Sequence, residues 1–476
     1  MKKITHLYKL LIGVVVLSVT LYACSEDVMD EINKDPNHTE DAPAKFILAD
    51  VITSTAFNNV GGDFSTYFSS YIEHEVGTHN QLFRAENREG EPMLSSTFNN
   101  GWDNIYITLK NARIIVMKTS EGGEQEGNDV TKGMAEVMIA LNSALLTDFF
   151  GDAPWSEAAQ PTTIPEILTP KIDKQEDIYK NIMSTLDQAI IDLQKKDAHL
   201  SGGPVEYDLL YKGNAAKWLK FAYGLKARYT MRLLSRSSNK DADLAKVIEY
   251  ADKSFTSADE EAAFNVYSAS NYNPLFDFQW SRDGLAASES MSEKLSERND
   301  PRLRRVFVDA DWVQMKGVND EAFFMAPNGE NIERQYYYNT SIFVYSQTAS
   351  TQLLSYHELL FLKAEALCRL NRSVEAEPIL KEAVLAAIVN LEKSVDAALN
   401  APDVLGYGGL EETTDAISQE EAALYFDTEV APLFLLNPLK ETMIQKYLAF
   451  FGASGEAPEA YSDFRRMKAL GENLLN

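Results

Sequence analysis

The sequence predicts an all-α protein of stacked helix pairs with a large irregular region set into the stack. Three observations predict it. Apolar residues recur at three- and four-residue spacing, as in Met134, Val137, Met138, Leu141, Leu145 and Phe149, the period of a helix with one buried face. Several such stretches come in pairs joined by a few residues. Two segments, about 57–98 and 255–352, lose the helical period and are rich in Asn, Tyr, Phe, Asp and Gly.

The first 43 residues carry a different signal. Lys2, Lys3 and Lys9 form a basic start, and Leu10 to Tyr22 an apolar core too short to span a bilayer comfortably, so residues 1–23 read as a signal peptide. Leu21-Tyr22-Ala23-Cys24 looks like a bacterial lipobox. Cleavage before Cys24 and lipidation of Cys24 are expected, which anchors the chain to a membrane through lipid. Residues 24–43 are polar and turn-rich and read as a tether. Residues 44–476 are expected to form one domain. With Cys24 acylated, Cys368 has no disulfide partner among the two cysteines. It falls in a helical pattern with Leu360, Ala364 and Leu367, as a small buried residue.

Within the domain, the spacing predicts a helix from Asn99 through Val116, and another from about Met134 to Phe150. Gly151 closes the second helix, Pro154 forbids its resumption, and the chain turns to lay Trp155 back against the fold. Asp173 with Glu176 has the capping-box pattern and announces a third helix through Leu193. A fourth starts at Asn214 and carries the basic residues Lys217, Lys220, Lys226, Arg228, Arg232 and Arg236, expected to pair with acidic neighbours. Residues 241–254 make a short fifth. Leu353–Leu370 and Val374–Leu391 form a tight pair, with Pro378 placed at the first helical position behind Glu377. Further helices are expected from Ser418 to Val430 and from Lys440 to Phe450. Repeated pairs with short turns suggest a tetratricopeptide-like stack. The irregular segments then become the carriers of specificity.

Charge and motifs exclude several functions. A net charge of −27 repels the phosphate backbone, so no nucleic-acid partner is expected. Arg298, Arg302, Arg304 and Arg305 are close in sequence and expected to pair with acids. In His74-Glu75-Val76-Gly77-Thr78-His79 the histidines are five apart and Gly77 interrupts, so no zinc-protease site is expected. No nucleophile elbow or phosphate loop occurs. Neither catalytic residue, metal nor cofactor is predicted. What the sequence does contain is aromatic residues in polar loops, around Trp102, at Tyr272-Asn273-Pro274 with Trp280, and at Tyr336-Tyr337-Tyr338. Sugar rings present apolar C–H faces ringed by hydroxyls, which suit aromatic platforms flanked by amide, carboxylate and guanidinium groups. The candidate ligand residues are Trp102, Tyr272, Asn273, Trp280 and Tyr337, with Arg84 as a charged contributor. Trp102 also lies in register with Ile105 and Leu109, which fits a core position equally well.

Several motifs run in order along the chain: the lipobox at Cys24, Phe149-Phe150-Gly151-Asp152-Ala153-Pro154-Trp155, Asp177-Ile178-Tyr179, Tyr211-Lys212-Gly213-Asn214 with Lys217-Trp218, Lys363-Ala364-Glu365-Ala366, and Asp463-Phe464-Arg465-Arg466. In this order they resemble the SusD/RagB family of outer-membrane nutrient-binding lipoproteins, in its SusD-like branch. Tyr461 departs from the family's usual tryptophan. Ser25-Glu26-Asp27 resembles the surface-export signal of Bacteroidetes lipoproteins. The resemblance implies four tetratricopeptide-like helix pairs and a variable loop half. It also implies a SusC-like TonB-dependent barrel as partner and a surface-exposed, outer-membrane position. The expected function is non-enzymatic capture of a glycan for import, with Gly151, Asp152, Pro154, Arg465 and Arg466 as scaffold residues. Two other readings stay open: the same fold capturing peptides, and a surface glycosidase. The acidic balance disfavours sulfated or uronate-rich glycans unless a local arginine cluster overrides it.

Overall fold

The structure, a computed structural model, describes residues 42–89, 98–161, 167–199, 204–308, 324–412 and 414–475. The expected signal peptide, Cys24 and nearly all of the tether lie outside these residues. The chain opens with α1 (Ala44–Ser54), α2 (Asp63–Tyr71), strand β1 (Glu75–Gly77), α3 (Asn80–Glu86) and α4 (Asn99–Thr119). The scaffold is centred on α5 (Asp129–Phe150), which is buried along nearly its whole length. It is apolar and long enough to cross a membrane, yet it is a core helix here, packed between α4 and the following α6 (Gln175–Asp192).

The stop after α5 follows from its sequence. Gly151 takes φ +74° and caps the helix with its N–H on the Thr147 carbonyl, a conformation that costs glycine little. Ala153–Pro154 (β2) pairs antiparallel with Ile172–Asp173 (β3). Trp155 then returns onto α5, its Nε1 donating to Ser143 Oγ at 2.7 Å. Asp173 does not cap α6, contrary to the capping-box reading. Its carboxylate accepts from the backbone N–H groups of Trp155 and Ser156 at 3.0 and 2.7 Å. The cap comes instead from Asp152, whose Oδ1 accepts from Gln175 N at 2.9 Å. A tertiary partner thus displaces the local one.

Next come α7 (Ala215–Arg232) and α8 (Lys240–Asp252). Helix α7 starts beside Asn214 as predicted, and the Asn214 side chain caps it, accepting from the N–H groups of Ala216 and Lys217. The segment that follows holds β4 (Ala262–Phe264), α9 (Pro274–Arg282), β5 (Leu285–Ala287), α10 (Glu289–Ser296), α11 (Leu303–Val306), β6 (Phe307–Val308), β7 (Thr340–Ser341) and β8 (Thr351–Leu354). Among the described residues the strands form four two-stranded sheets, β1-β5, β2-β3, β4-β8 and β6-β7, all antiparallel. The chain closes with α12 (Tyr356–Arg369), α13 (Ser373–Leu399), α14 (Pro402–Gly406), α15 (Gln419–Tyr425), α16 (Ala431–Leu436), α17 (Pro438–Ala449) and α18 (Ala457–Ala469).

Helices α4 to α8 pack each on the next, α8 packs on α12, α12 on α13, and α17 covers both. This is the tetratricopeptide-like stack. The predicted irregular segments contain more helix than expected. Helix α2 is buried on all sides from Phe64 to Ser70, so its Ser and Thr positions erase any amphipathic period. Helix α13 begins at Ser373, leaving Pro378 inside it. The carbonyl that Pro378 cannot bond belongs to Val374, whose residue is 86% exposed, so water can take the missing donor's place.

Four of the six basic residues expected to pair with acids do so, while Lys217 donates to the Asp259 carbonyl and Arg236 lies beyond the end of α7 with no ion pair among the described residues. Lys220 meets Glu260, Lys226 meets Asp187, Arg228 meets Glu358, and Arg232 meets Asp148 and Glu459. Arg298, Arg302, Arg304 and Arg305 pair with Glu441, Asp300, Glu421 and Glu392. The scaffold roles implied for the C-terminal arginines also appear. Arg465 donates to the Asp148 carbonyl at the end of α5, and Arg466 bridges Glu365 and Asp463. Tyr461 stacks on Phe68 with ring centroids 4.4 Å apart. Cys368 is a buried free thiol, its pKa pushed up to about 11 by burial.

Candidate functional site

Helix α9 organises the site. Asn273 and Pro274 set its start: the Asn273 Oδ1 accepts from Leu275 N at 2.9 Å, and Pro274 occupies the first turn. Asp283 in the left-handed region ends it. Leu275, Phe276 and Gln279 are buried. That leaves Asp277, Ser281 and Arg282 exposed, with Phe278 and Trp280 half-buried.

Two surfaces flank this exposed strip. On one side is an aromatic ledge. Trp280 stacks on Phe276 at 5.2 Å and 17°, and Tyr407 meets Trp280 edge-on at 5.6 Å. Tyr272 packs edge-on against Phe276 at 5.3 Å. The Asp403 carboxylate beside the Tyr272 hydroxyl raises its pKa. On the other side is a cleft of about 260 Å³ lined by Asp63, Gln81, Asn100, Asp277, Phe278 and Arg282, among others. Asn100 Nδ2 donates to Asp63 Oδ2 at 3.0 Å, and burial pushes the Asp63 carboxyl above its usual range. The Arg282 guanidinium lies over the Phe278 ring at 5.3 Å. The cleft therefore offers amide, carboxylate and guanidinium groups beside an apolar platform.

The structure brings Tyr272, Asn273 and Trp280 together, but not in one role. Asn273 is 1% exposed. Its Nδ2 donates to the carbonyls of Ala349 and Ala453 at 2.9 and 3.0 Å, so its side chain holds the ledge from beneath and does not reach a ligand. Asn273→Ala is expected to lower stability by about 2 kcal/mol, because a cap is lost and two buried carbonyls lose their donor. A urea midpoint unchanged from wild type would contradict this.

Tyr337 and Arg84 belong to a second patch. Tyr337 is 48% exposed, with the Phe324 ring 5.0 Å away and the Arg334 guanidinium 4.8 Å over its face. Arg84 stands on α3 and acts electrostatically on Glu333 of the same loop. Gln335 Nε2, donating to the Arg282 and Asp283 carbonyls at 3.2 and 3.3 Å, ties this patch to the end of α9. Trp102 lies elsewhere, half-buried on α4, with its ring against Tyr106 and Phe150. Those are scaffold contacts, and the core alternative describes them.

Sequence reasoning missed Tyr407, Asp277, Arg282 and Arg334. Tyr407 had a faint signal, an aromatic residue between Gly406 and Gly408. His74 is buried at 3.0 Å from the Tyr447 carbonyl, and burial drives its pKa down to about 3. His79 meets Glu333 at 2.7 Å, so the two histidines do not converge. Among the described residues no group of three His, Cys, Asp or Glu side chains could hold a metal ion.

Comparison with known proteins identifies the family of the chain. The SusD-like_2 family model, described as starch-binding and associating with the outer membrane, matches residues 36–469. A SusD/RagB family protein from Bacteroides thetaiotaomicron is 55% identical, with a TM-score of 0.86 over 92% of this chain and 90% of its own. A SusD homologue from Bacteroides fragilis shares the fold at 18% identity, TM-score 0.66, over 89% and 87% of the two chains. So does a chitin-binding SusD homologue from Flavobacterium johnsoniae at 17% identity, TM-score 0.63, over 88% and 86%. No curated protein matches the chain. With a family model spanning most of its length and a relative more than half identical over nine-tenths of it, the chain belongs to the SusD/RagB family, in the SusD-like branch that associates with the outer membrane.

Proposed function

We propose that this protein binds a glycan at the bacterial surface and passes it to a SusC-like TonB-dependent barrel for import, anchored by lipid on Cys24. The observation that carries the proposal is the ledge of Tyr272, Trp280 and Tyr407 beside the polar cleft on α9. A sugar ring stacks its C–H face on the ledge while its hydroxyls reach Asp277, Arg282 and the cleft amides. The family assignment supports the same reading, as does a distant structural relative that is a chitin-binding SusD homologue. The protein acts by binding and release, with no bond made or broken. A peptide ligand added as a strand would favour a long strand edge, whereas the described strands are only two to four residues long.

Affinity electrophoresis of the soluble form starting at Ser25 tests this against a panel of polysaccharides. Trp280→Ala and Tyr407→Ala are expected to weaken the retarding glycan at least tenfold, about 1.4 kcal/mol, while both variants remain folded by circular dichroism at the assay temperature. Retardation kept in both variants moves the site off the ledge. Retardation by no glycan sinks the proposal, and peptide digests become the next ligands to test. Reducing ends released from a bound polysaccharide would establish turnover and refute the non-enzymatic reading.

A further inference from the structure

The patch beyond the end of α9 has unspent charge. In this acidic chain, Arg228, Arg232, Arg302, Arg304, Arg305 and Arg466 each have a carboxylate partner. Arg84 and Arg334 have no carboxylate within 4.0 Å among the described residues, and neither guanidinium donates a hydrogen bond there. The acids around them are already engaged. Glu333 accepts from Asn80 N at 2.6 Å and meets His79 Nδ1 at 2.7 Å. Glu330 accepts from the Tyr338 hydroxyl at 2.9 Å. Asp283 accepts from Gln279 Nε2 at 2.6 Å.

Between the two arginines the loop presents apolar rings. Tyr336 is 62% exposed and Phe324 52%, and Tyr337 carries the Arg334 guanidinium against its face. Arg334 is held in place from its backbone, its N–H donating to the Thr78 carbonyl at 3.1 Å, and Asn87 Nδ2 of the α3 end donates to the Glu330 carbonyl at 2.8 Å. Both arginines thus flank one braced loop. A guanidinium presents a fork of N–H donors that matches carboxylate and sulfate oxygens, and aromatic rings beside it match the face of a pyranose.

We propose that Arg84, Arg334 and Tyr337 form a subsite for an anionic sugar residue, a uronate or a sulfated sugar, within a chain whose neighbouring residues rest on the α9 ledge. The proposal rests on the glycan-binding reading above. It takes up the exception left open in the net-charge argument, since two local arginines with no carboxylate within 4.0 Å among the described residues decide the contact.

Affinity electrophoresis of the soluble form is run in polygalacturonate, chondroitin sulfate and amylose, with wild type and Arg84→Gln/Arg334→Gln. An acidic polysaccharide is expected to retard the wild type, at least tenfold more weakly in the double variant. Raising NaCl from about 0.05 to 0.5 M should weaken that retardation, because exposed charge contacts are screened. Retardation by polygalacturonate alone assigns a carboxylate, and by chondroitin sulfate after chemical desulfation lost, a sulfate. Retardation by amylose alone overturns the subsite and leaves the glycan reading standing. Acidic retardation equal in wild type and double variant overturns the subsite as well. Retardation by none of the three and by no glycan of the wider panel defeats both.

Discussion

Replacing Arg466 by alanine is expected to lower stability by about 3–5 kcal/mol, because it takes from two buried carboxylates the cation they share. Arg466 is 3% exposed. Its Nη2 donates to Glu365 Oε2 and to Asp463 Oδ1, both at 2.8 Å. Asp463 also meets Lys446 at 2.6 Å, and Glu365 meets Arg369 at 2.7 Å, which continues to Glu472 at 2.7 Å. These alternating charges join α12, α17, α18 and the C-terminal segment, so one deletion loosens three helices at once. Burial alone would raise the Asp463 carboxyl, yet Lys446 and Arg466 hold it well below the usual carboxylate range. Glu365 is likewise held down against burial by Arg466 and Arg369. Carboxyls depressed in the folded state add stability above their unfolded pKa of about 4, and that stability is lost as pH falls below it. The urea midpoint of Arg466→Ala should therefore drop at pH 7 and lose part of the wild type's acid dependence. Arg466→Lys should fall between, since an ammonium keeps the charge but lacks the planar fork of five donors. A drop under about 1 kcal/mol, the scale of an exposed ion pair, would show that the network is not cooperative.

The same residues show what was legible in the sequence. Arg465 and Arg466 could be placed as scaffold because they follow Asp463-Phe464 in an ordered set of motifs, and α5 because its apolar period and its Gly151–Pro154 stop are local. Local signals failed where a distant group competed. The Asp173–Glu176 pattern is a sound capping box by spacing, but Asp152 reaches the helix start first and Asp173 is drawn to Trp155 and Ser156. Asn273 read as a ligand amide because it sits between Tyr272 and Pro274. Its partners, Ala349 and Ala453, lie 76 and 180 residues away. Tyr407 and Trp280 are 127 positions apart by their numbers, so their meeting on the ledge has no one-dimensional trace. Trp102 in register with Ile105 and Leu109 already carried its scaffold role, and its ring neighbours agree with it.

Glu75→Gln is expected to flatten the pH dependence of this protein's stability between about pH 4.3 and about 8. Glu75 is 3% exposed on β1. Ser341 Oγ donates to one of its carboxyl oxygens, and the other has no partner among the described residues. No cation offsets the burial, which pushes the pKa up to about 8. In the unfolded chain this carboxyl ionises near 4.3. Between those two values the folded state keeps a proton that the unfolded state has released, so stability falls as pH rises through the window. The loss is on the order of 3–5 kcal/mol once both states are ionised. Glutamine keeps the shape and cannot ionise, so the variant should match wild type near pH 5 and exceed it by pH 8.5 or so. Urea midpoints across that range measure the difference, and parallel curves would show that Glu75 is not the buried proton. The position gives the effect a functional direction. β1 pairs with β5 directly after α9, the Thr78 carbonyl next to β1 accepts from Arg334 N, and Ser341 belongs to β7 just beyond Tyr337. Ionising Glu75 therefore weakens the strands on which both the ledge and the arginine patch stand. Ligand retention should decline with rising pH in wild type and persist in the glutamine variant.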